Sequence, residues 1–197
     1  MKTSRMEAFS DGVFAVAITL LVFNLKVPEI SSGHLARALA HGWPSYFAYI
    51  ISFLSIGICW VNHHSMMDRV VTVHRKVLFA NLGLLLGIVS IPFSTALAAT
   101  WYNQGTNARW ALVLYCAIWV YTSAMFMVTS YFLEDGEQLA AAATGARAKS
   151  LFRRRYIGIS SYLLATFVAL FSPIAAFFIC FLLAFYYVVG VREEDNA

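Results

Sequence analysis

Charged residues are scarce in this chain of 197 residues. Asp, Glu, Lys and Arg together make up 12% of the sequence, whereas soluble proteins carry about a quarter. Hydrophobic residues account for 60%, and the mean hydropathy is +0.70. These values exclude a soluble globular domain, and the aromatic content of 16% excludes a disordered or collagen-like chain. A polytopic membrane protein remains.

Cysteine is also rare, and the sequence has no recognisable catalytic pattern. Cys59, Cys116 and Cys180 lie in apolar stretches without a closely spaced partner, so we interpret them as packing residues. We find no nucleophile-base-acid set and no Gly-rich phosphate loop. The sequence therefore predicts no enzyme, no cofactor and no small-molecule substrate. The net charge of +4 does not indicate a nucleic-acid partner, because membrane proteins collect Lys and Arg in their cytoplasmic loops.

Long apolar runs dominate the chain, at residues 8–25, 44–61, 77–100, 110–133 and 156–191. A spanning helix needs about 20 apolar residues, and the last run would make one helix about 54 Å long in a core of about 30 Å. Ser172-Pro173 is the natural break in that run, because proline ends a helix. The sequence therefore predicts an all-α membrane protein with six transmembrane helices in a single domain, residues 1–197.

The orientation follows from the first run and from the basic residues. The first apolar run is preceded by Glu7 and interrupted by Asp11. A signal peptide has its Ala-x-Ala cleavage site after the apolar region, whereas Ala15-Val16-Ala17 lies inside this run. We therefore interpret the run as a membrane helix and not as a cleaved signal peptide. With the N-terminus inside, the short cytoplasmic segments hold eleven Lys and Arg residues and the opposite side holds three. Both termini are therefore predicted to be cytoplasmic. The Ala-rich residues 134–149 are interpreted as a solvated connector in preference to a short helix.

Polar residues gather at the cytoplasmic end of the first two predicted helices. The second helix runs back inward, so its end reaches the membrane depth at which the first helix begins. The residues at this depth are Arg5, Ser10, Asp11, Trp60, Asn62, His63 and His64. They indicate either a proton or cation site, since Asp and His can carry charge, or a hydrogen-bonded clamp between the helices. The residues alone favour the clamp. No metal site is expected, because adjacent histidines on a helix point about 100° apart and no other His or Cys completes a tetrahedron.

The first helix has one face that combines small, apolar and hydroxyl side chains. Steps of four and three place Gly12, Val16, Thr19 and Phe23 on this face, with Leu20 beside it. Periodicity alone favours ordinary packing, and a single Thr usually bonds its own helix.

Two sets of residues together carry a family resemblance. Arg5, Phe9, Ser10 and Asp11 form an Arg-x-x-x-Phe-Ser-Asp motif that continues through Thr19. Supporting pieces follow in order as Trp43-Pro44, Ser52-Phe53, Trp60-x-Asn62-His63-His64 and Pro92-Phe93-x-Thr95. In these residues the chain resembles the transmembrane protein 175 family of potassium-permeable channels, in its short prokaryotic form. The match covers about the first hundred residues, and the second half is similar only in having three more predicted spans.

The resemblance implies a six-helix channel subunit in a prokaryotic plasma membrane, without a Thr-Val-Gly-Tyr-Gly filter. In the family the first helices line the pore. The resemblance then implies that Val16 forms the constriction, that Thr19 contributes to potassium selectivity, and that Leu20 and Phe23 are further apolar pore positions. Family members more often carry Ile or Leu at the constriction, so Val16 is a smaller plug. Animal members of the family carry two such six-helix repeats per chain and pair as dimers, so the resemblance implies that this chain, with one repeat, forms a homotetramer that conducts K⁺.

Two other functions remain open from the residues. One is a proton-coupled transporter or proton pathway that uses Asp11 and the Asn62-His63-His64 cluster. Transporters more often show broken helices and internal repeats, which we do not find in this sequence. The other is a membrane scaffold without permeation, for which the packing features suffice.

Overall fold

The computed structural model describes residues 3–28, 34–68, 70, 73–134 and 146–194. Helices account for nearly all of them. They are α1 (Thr3–Leu20) with a 3₁₀ turn (Leu21–Asn24), α2 (Leu35–His41), α3 (Trp43–Met67), α4 (Arg75–Trp101), α5 (Thr106–Glu134), α6 (Ala146–Ala169) and α7 (Pro173–Glu194).

Four segments are long and apolar enough to cross a bilayer, namely Thr3–Asn24, Trp43–Met67, Arg75–Trp101 and Thr106–Leu133. The last two helices carry shorter apolar stretches, Ile157–Ala169 and Pro173–Tyr187. The structure is therefore that of a helical, multi-pass membrane protein, while the count of six spans stays a prediction. The last apolar run, at residues 156–191, is divided between two helices. α6 ends at Ala169 and α7 begins at Pro173, so the predicted break at Ser172-Pro173 is confirmed.

Two local features were not expected from the sequence. The short helix α2 precedes α3, and the chain turns directly from one into the other at Gly42, whose N–H donates to the Ala38 carbonyl at 3.2 Å. Pro44 then occupies the first turn of α3, where its missing N–H costs nothing. In the predicted connector at residues 134–149, residues 135–145 lie outside the described part of the chain, and α6 already begins at Ala146.

The helices pack in a chain of neighbours. α1 lies against α3 and α4, α4 against α5, α5 against α6, α6 against α7, and α7 returns to α3. Trp119 of α5 is fully buried, and its ring stacks on Tyr162 of α6 at 5.4 Å between centroids. The Sγ atoms of Cys116 and Cys180 lie 3.8 Å apart in the same core. Both cysteines thus contribute to packing between α5 and α7.

A buried row of hydroxyls links α3, α4 and α5. The Thr95 hydroxyl donates to the Ile91 carbonyl at 2.8 Å, so its oxygen must accept from Ser52, which lies 2.8 Å away. Ser52 in turn accepts from the Tyr115 hydroxyl at 3.1 Å. Every hydroxyl in this row has a partner inside the protein, as a bilayer requires of buried polar groups.

Candidate functional site

The helix α1 lies at the edge of the bundle and has two different faces. Its inner face packs against α3 and α4 through residues that are almost fully buried, Met6, Ser10, Phe14, Ala17 and, in the 3₁₀ turn, Leu21. The opposite face points away from the chain's own core. A helix with this arrangement needs lipid or another protein surface on its outer side.

The residues singled out for a pore all lie on this outer face. Val16 is 55% exposed, Leu20 is 41% exposed and Phe23 is 77% exposed. Gly12 and Thr19 are exposed between and beside them. We call Gly12, Val16, Thr19, Leu20 and Phe23 the α1 stripe. The 3₁₀ turn contributes to it, because side chains three residues apart eclipse in that geometry and Phe23 therefore follows Leu20.

Thr19 has its hydroxyl hydrogen directed into its own helix. Oγ1 lies 3.0 Å from the Ala15 carbonyl oxygen and 2.9 Å from that of Val16. A hydroxyl has one hydrogen to donate and two lone pairs that accept. Since these carbonyls take the hydrogen, the lone pairs of Thr19 remain available on the exposed side of α1.

Carboxylates of α1 meet aromatic side chains at the end of α3. The Trp60 indole N–H donates to Oδ1 of Asp11 at 2.9 Å. Nδ1 of His64 lies 3.0 Å from Oε1 of Glu7. The rings of Trp60 and His64 stack at 6.1 Å with an angle of 16°. These contacts fasten the cytoplasmic half of α1, as the sequence orients it, to α3.

Beneath these exposed contacts lies a buried row of hydrogen bonds across α3, α4 and α1. Nε2 of His63 donates to Oδ1 of Asn81 at 2.8 Å, and Nδ2 of Asn81 donates to the Ser10 hydroxyl at 2.9 Å. The Ser10 hydroxyl donates to the Met6 carbonyl at 2.9 Å. The ring of Phe14 packs on His63, with centroids 5.4 Å apart. We call His63, Asn81 and Ser10 the buried polar row.

Asn81 is the functional residue that the sequence reasoning missed. It lies in the apolar run at residues 77–100 and is 1% exposed. A single carboxamide in an otherwise apolar spanning segment is expensive unless it is paired, and that was the available signal. Its two polar side-chain atoms connect α4 to α3 through His63 and to α1 through Ser10.

Three residues of the family motif stay outside this arrangement. Arg5 and Asn62 are exposed, and neither joins these contacts within the described part of the chain. Phe9 is 55% exposed on the outer side of α1. The structure therefore brings Ser10, Asp11, Trp60, His63 and His64 together and leaves Arg5, Phe9 and Asn62 on the surface.

Comparison with known proteins identifies the family. The model of the family described as "Endosomal/lysosomal potassium channel TMEM175" matches residues 5–92. A potassium channel from Streptomyces collinus is 37% identical over 94% of this chain and 91% of its own length. The chain belongs to the TMEM175 family.

A solved structure agrees with this family. The crystal structure described as a lysosomal potassium-selective channel TMEM175 homolog from Chamaesiphon minutus superposes with a TM-score of 0.84 at 33% identity. The superposition covers 95% of this chain and 96% of that one. The resemblance noted in the first hundred residues thus extends over the second half as well, as part of one fold.

The TMEM175 relatives in animals are larger and are described as proton channels. The chicken protein, described as an endosomal/lysosomal proton channel, is 32% identical over 62% of this chain, and the match spans 26% of its own length. TMEM175 is an ion-channel family and not an enzyme family. The prediction of a channel, and not an enzyme, is therefore confirmed at the level of the family.

Proposed function

We propose that this chain is the subunit of a potassium-preferring cation channel in which the first helices of four copies surround the pore. The observation that carries the proposal is the α1 stripe. It runs over about three helical turns on the side of α1 that the chain's own bundle leaves uncovered. The names of the bacterial relatives as potassium channels support the same function.

The side chains of the α1 stripe suit a pore that is narrow and dry in places. Val16 and Phe23 are apolar and highly exposed, so four copies facing one axis would form two rings about 10 Å apart. Apolar rings of this kind resist wetting when they are narrow. Thr19 lies between them, and its outward lone pairs can replace part of the hydration shell of K⁺.

The assembly and its placement belong to the same proposal. Six spans are expected from the apolar runs and cytoplasmic termini from the basic-residue bias, whereas the homotetramer and the prokaryotic plasma membrane are what the family resemblance implies. Native mass spectrometry of the purified protein should then give four times the chain mass of 22.0 kDa. A monomer or dimer as the conducting species contradicts the proposal.

The function is tested by passive ion flux from liposomes, with one pair of variants on α1. Val16→Ala widens the proposed constriction and should raise K⁺ conductance. Val13→Ala makes the same change on a partly buried position that packs against the core, and its conductance should stay at the wild-type level. Equal effects of both substitutions, or none from Val16→Ala, would contradict a pore along the α1 stripe. A protein that passes no ion at all would be the scaffold.

A proton pathway is the second candidate, and one observation favours it. Nδ1 of His63 is buried, with no hydrogen-bond partner in the described residues. However, the buried polar row ends on the Met6 carbonyl, and Asp11 is engaged by Trp60, so these contacts support the clamp better than a relay.

The charge of Asp11 separates the two candidates. Asp11→Asn keeps an oxygen that can accept from Trp60 but removes the carboxylate. With a clamp, the selectivity should hold, and any loss should appear in assembly or expression. A variant that assembles normally but loses a pH-dependent current would favour the proton pathway.

A further inference from the structure

His64 lies between two carboxylates where α1 meets the end of α3. Its Nδ1 is 3.0 Å from Oε1 of Glu7, on α1, and its Nε2 is 3.6 Å from Oδ2 of Asp68, one helical turn further along. The donor atoms of these three residues all lie within 4.8 Å of one another. The sequence analysis expected no metal site because it considered only His and Cys as ligands and not the carboxylates.

The two ring nitrogens of a neutral His64 differ in what they can bond. A neutral imidazole has one N–H and one bare lone pair. If Nδ1 donates its hydrogen to Glu7, then the lone pair on Nε2 faces the carboxylate of Asp68. Two electron-rich atoms held in this way attract a positive charge between them, which either a proton or a metal ion can supply.

The distance between Nε2 and Oδ2 suits a bound metal ion. Two ligands at about 2.1 Å from a tetrahedral ion lie about 3.4 Å apart, close to the observed 3.6 Å. A carboxylate on the far nitrogen of a ligating histidine is the usual arrangement that orients the ring and raises its basicity. Trp60 stacks on the same ring and fixes it further.

We propose that His64 and Asp68 bind a divalent transition-metal ion such as Zn²⁺, with Glu7 as the residue that positions the imidazole. Nε2 of His64 and Oδ2 of Asp68 are the ligands, and water completes the coordination. His64 and Asp68 are about half exposed, so the ion has access from the aqueous side. Imidazole with carboxylate favours Zn²⁺, Co²⁺ and Ni²⁺ over Mg²⁺ and Ca²⁺, which prefer all-oxygen sites.

The binding test uses Co²⁺ as the probe and the full chain in detergent. The wild type should bind one Co²⁺ per chain, with a visible absorption band that Zn²⁺ abolishes and excess Mg²⁺ does not. His64→Ala and Asp68→Asn should each weaken binding about tenfold or more, and so should Glu7→Gln, which keeps the shape but removes the charge. His74→Ala is the matched control, since His74 is exposed and lies ten residues further on, and it should bind like the wild type.

Two results would overturn the site. One is a wild type that binds no Co²⁺, in which case the three residues serve only as hydrogen-bond partners of one another. The other is unchanged binding by both His64→Ala and Asp68→Asn, which would place the ion elsewhere. Because Asp68→Asn alters an exposed side chain at the end of α3, it remains informative if His64→Ala fails to fold.

Occupancy of this site should also change conduction, because an ion on Nε2 of His64 would strengthen the bond between Nδ1 and Glu7 of α1. This second effect rests on the proposed pore, whereas binding does not. Zn²⁺ should lower K⁺ flux through the wild type and have at least tenfold less potency on Asp68→Asn. Co²⁺ binding without any effect of Zn²⁺ on flux would uphold the site and reject its coupling to α1.

Discussion

At the scale of single residues, two polar side chains within the apolar helices differ in their surroundings. Asn81 is paired at both of its polar atoms inside the bundle, whereas Thr19 is exposed and bonds its hydrogen to its own helix. In a bilayer, a polar group paired between helices stabilises their association, whereas a hydroxyl bonded to its own helix is satisfied without any neighbour. A role of Thr19 in conduction therefore depends on the proposed pore along the α1 stripe.

The first prediction concerns the hydroxyl of Thr19. Thr19→Val keeps the shape of the side chain and removes the oxygen, so the permeability ratio of K⁺ to Na⁺ should fall toward one while the assembly survives. Reversal potentials in planar bilayers measure this ratio. Thr100→Val, the same change at an exposed position near the end of α4, should leave the ratio unaltered. A preserved ratio in Thr19→Val would remove Thr19 from the selectivity mechanism.

The second prediction concerns the buried polar row. Asn81→Ala leaves the Nε2 hydrogen of His63 and the oxygen of Ser10 without their shared partner, at about 1–3 kcal/mol for each unpaired buried group. The thermal midpoint of the detergent-solubilised protein should therefore fall by several degrees. Asn62→Ala removes the same side chain from an exposed position of α3, and its midpoint should match the wild type. Equal midpoints for both variants would mean that the row does not stabilise the fold.

At the scale of elements, α4 is the helix on which the others are arranged. It packs against α1 and α3 on one side and α5 on the other. Gly83 and Gly87, one turn apart, both face α5. This spacing of small residues lets two helices approach closely, and it was a signal in the sequence that our interpretation did not use.

The third prediction separates these two glycines. A Cβ at position 87 would collide with Oγ1 of Thr122 and lie 3.2 Å from its Cβ, and the β-branched side chain has little freedom to move. Gly87→Ala should therefore destabilise the protein by about 1–3 kcal/mol. A Cβ at position 83 would meet the flexible end of Met125, which can turn away.

Gly83→Ala should accordingly be near neutral or gain up to about 1 kcal/mol in helix propensity. Thermal unfolding of the two variants side by side measures the difference. If Gly83→Ala is the more damaging change, the close approach of α4 and α5 lies elsewhere along their interface.

At the scale of the whole molecule, the helices form a bundle with α1 at its edge and α7 closing back on α3. Among the described residues, buried side-chain hydroxyls and carboxamides are paired inside the bundle, and large apolar side chains lie on its outside. Lipid accounts for most of this outer surface. The α1 stripe is a part of this surface in which exposed glycine and threonine lie among apolar residues of a long helix.

The fourth prediction concerns the placement of this bundle in the membrane. His74→Cys, before α4, should label from the cytoplasmic side, and Asn103→Cys, after α4, from the opposite side. The native thiols give little background, since Cys116 and Cys180 are buried and Cys59 is partly buried. No side-chain cap is lost at His74. Labelling of both positions from one side would rule out α4 as a span, and reversed sides would invert the proposed orientation.

Sequence reasoning was most successful where the signal is local. The apolar runs, the break at Ser172-Pro173 and the set of residues that share the α1 stripe depend only on hydropathy and helical period. The family motif around Asp11 is likewise a continuous stretch, so it indicated the family without any knowledge of how the helices pack. The short helix α2 escaped prediction because it is neither long nor apolar enough to be a span.

The sequence by itself determined that this protein is a helical membrane protein and which side chains lie together on α1. Only the tertiary structure decided which face of α1 is buried, because both faces of a membrane helix are apolar and hydropathy does not distinguish them. It also decided that Asn81 bonds Ser10 across 71 positions of the chain, and that Glu7 meets His64 across 57. Contacts over such separations depend on how the helices pack, and no local pattern encodes that packing.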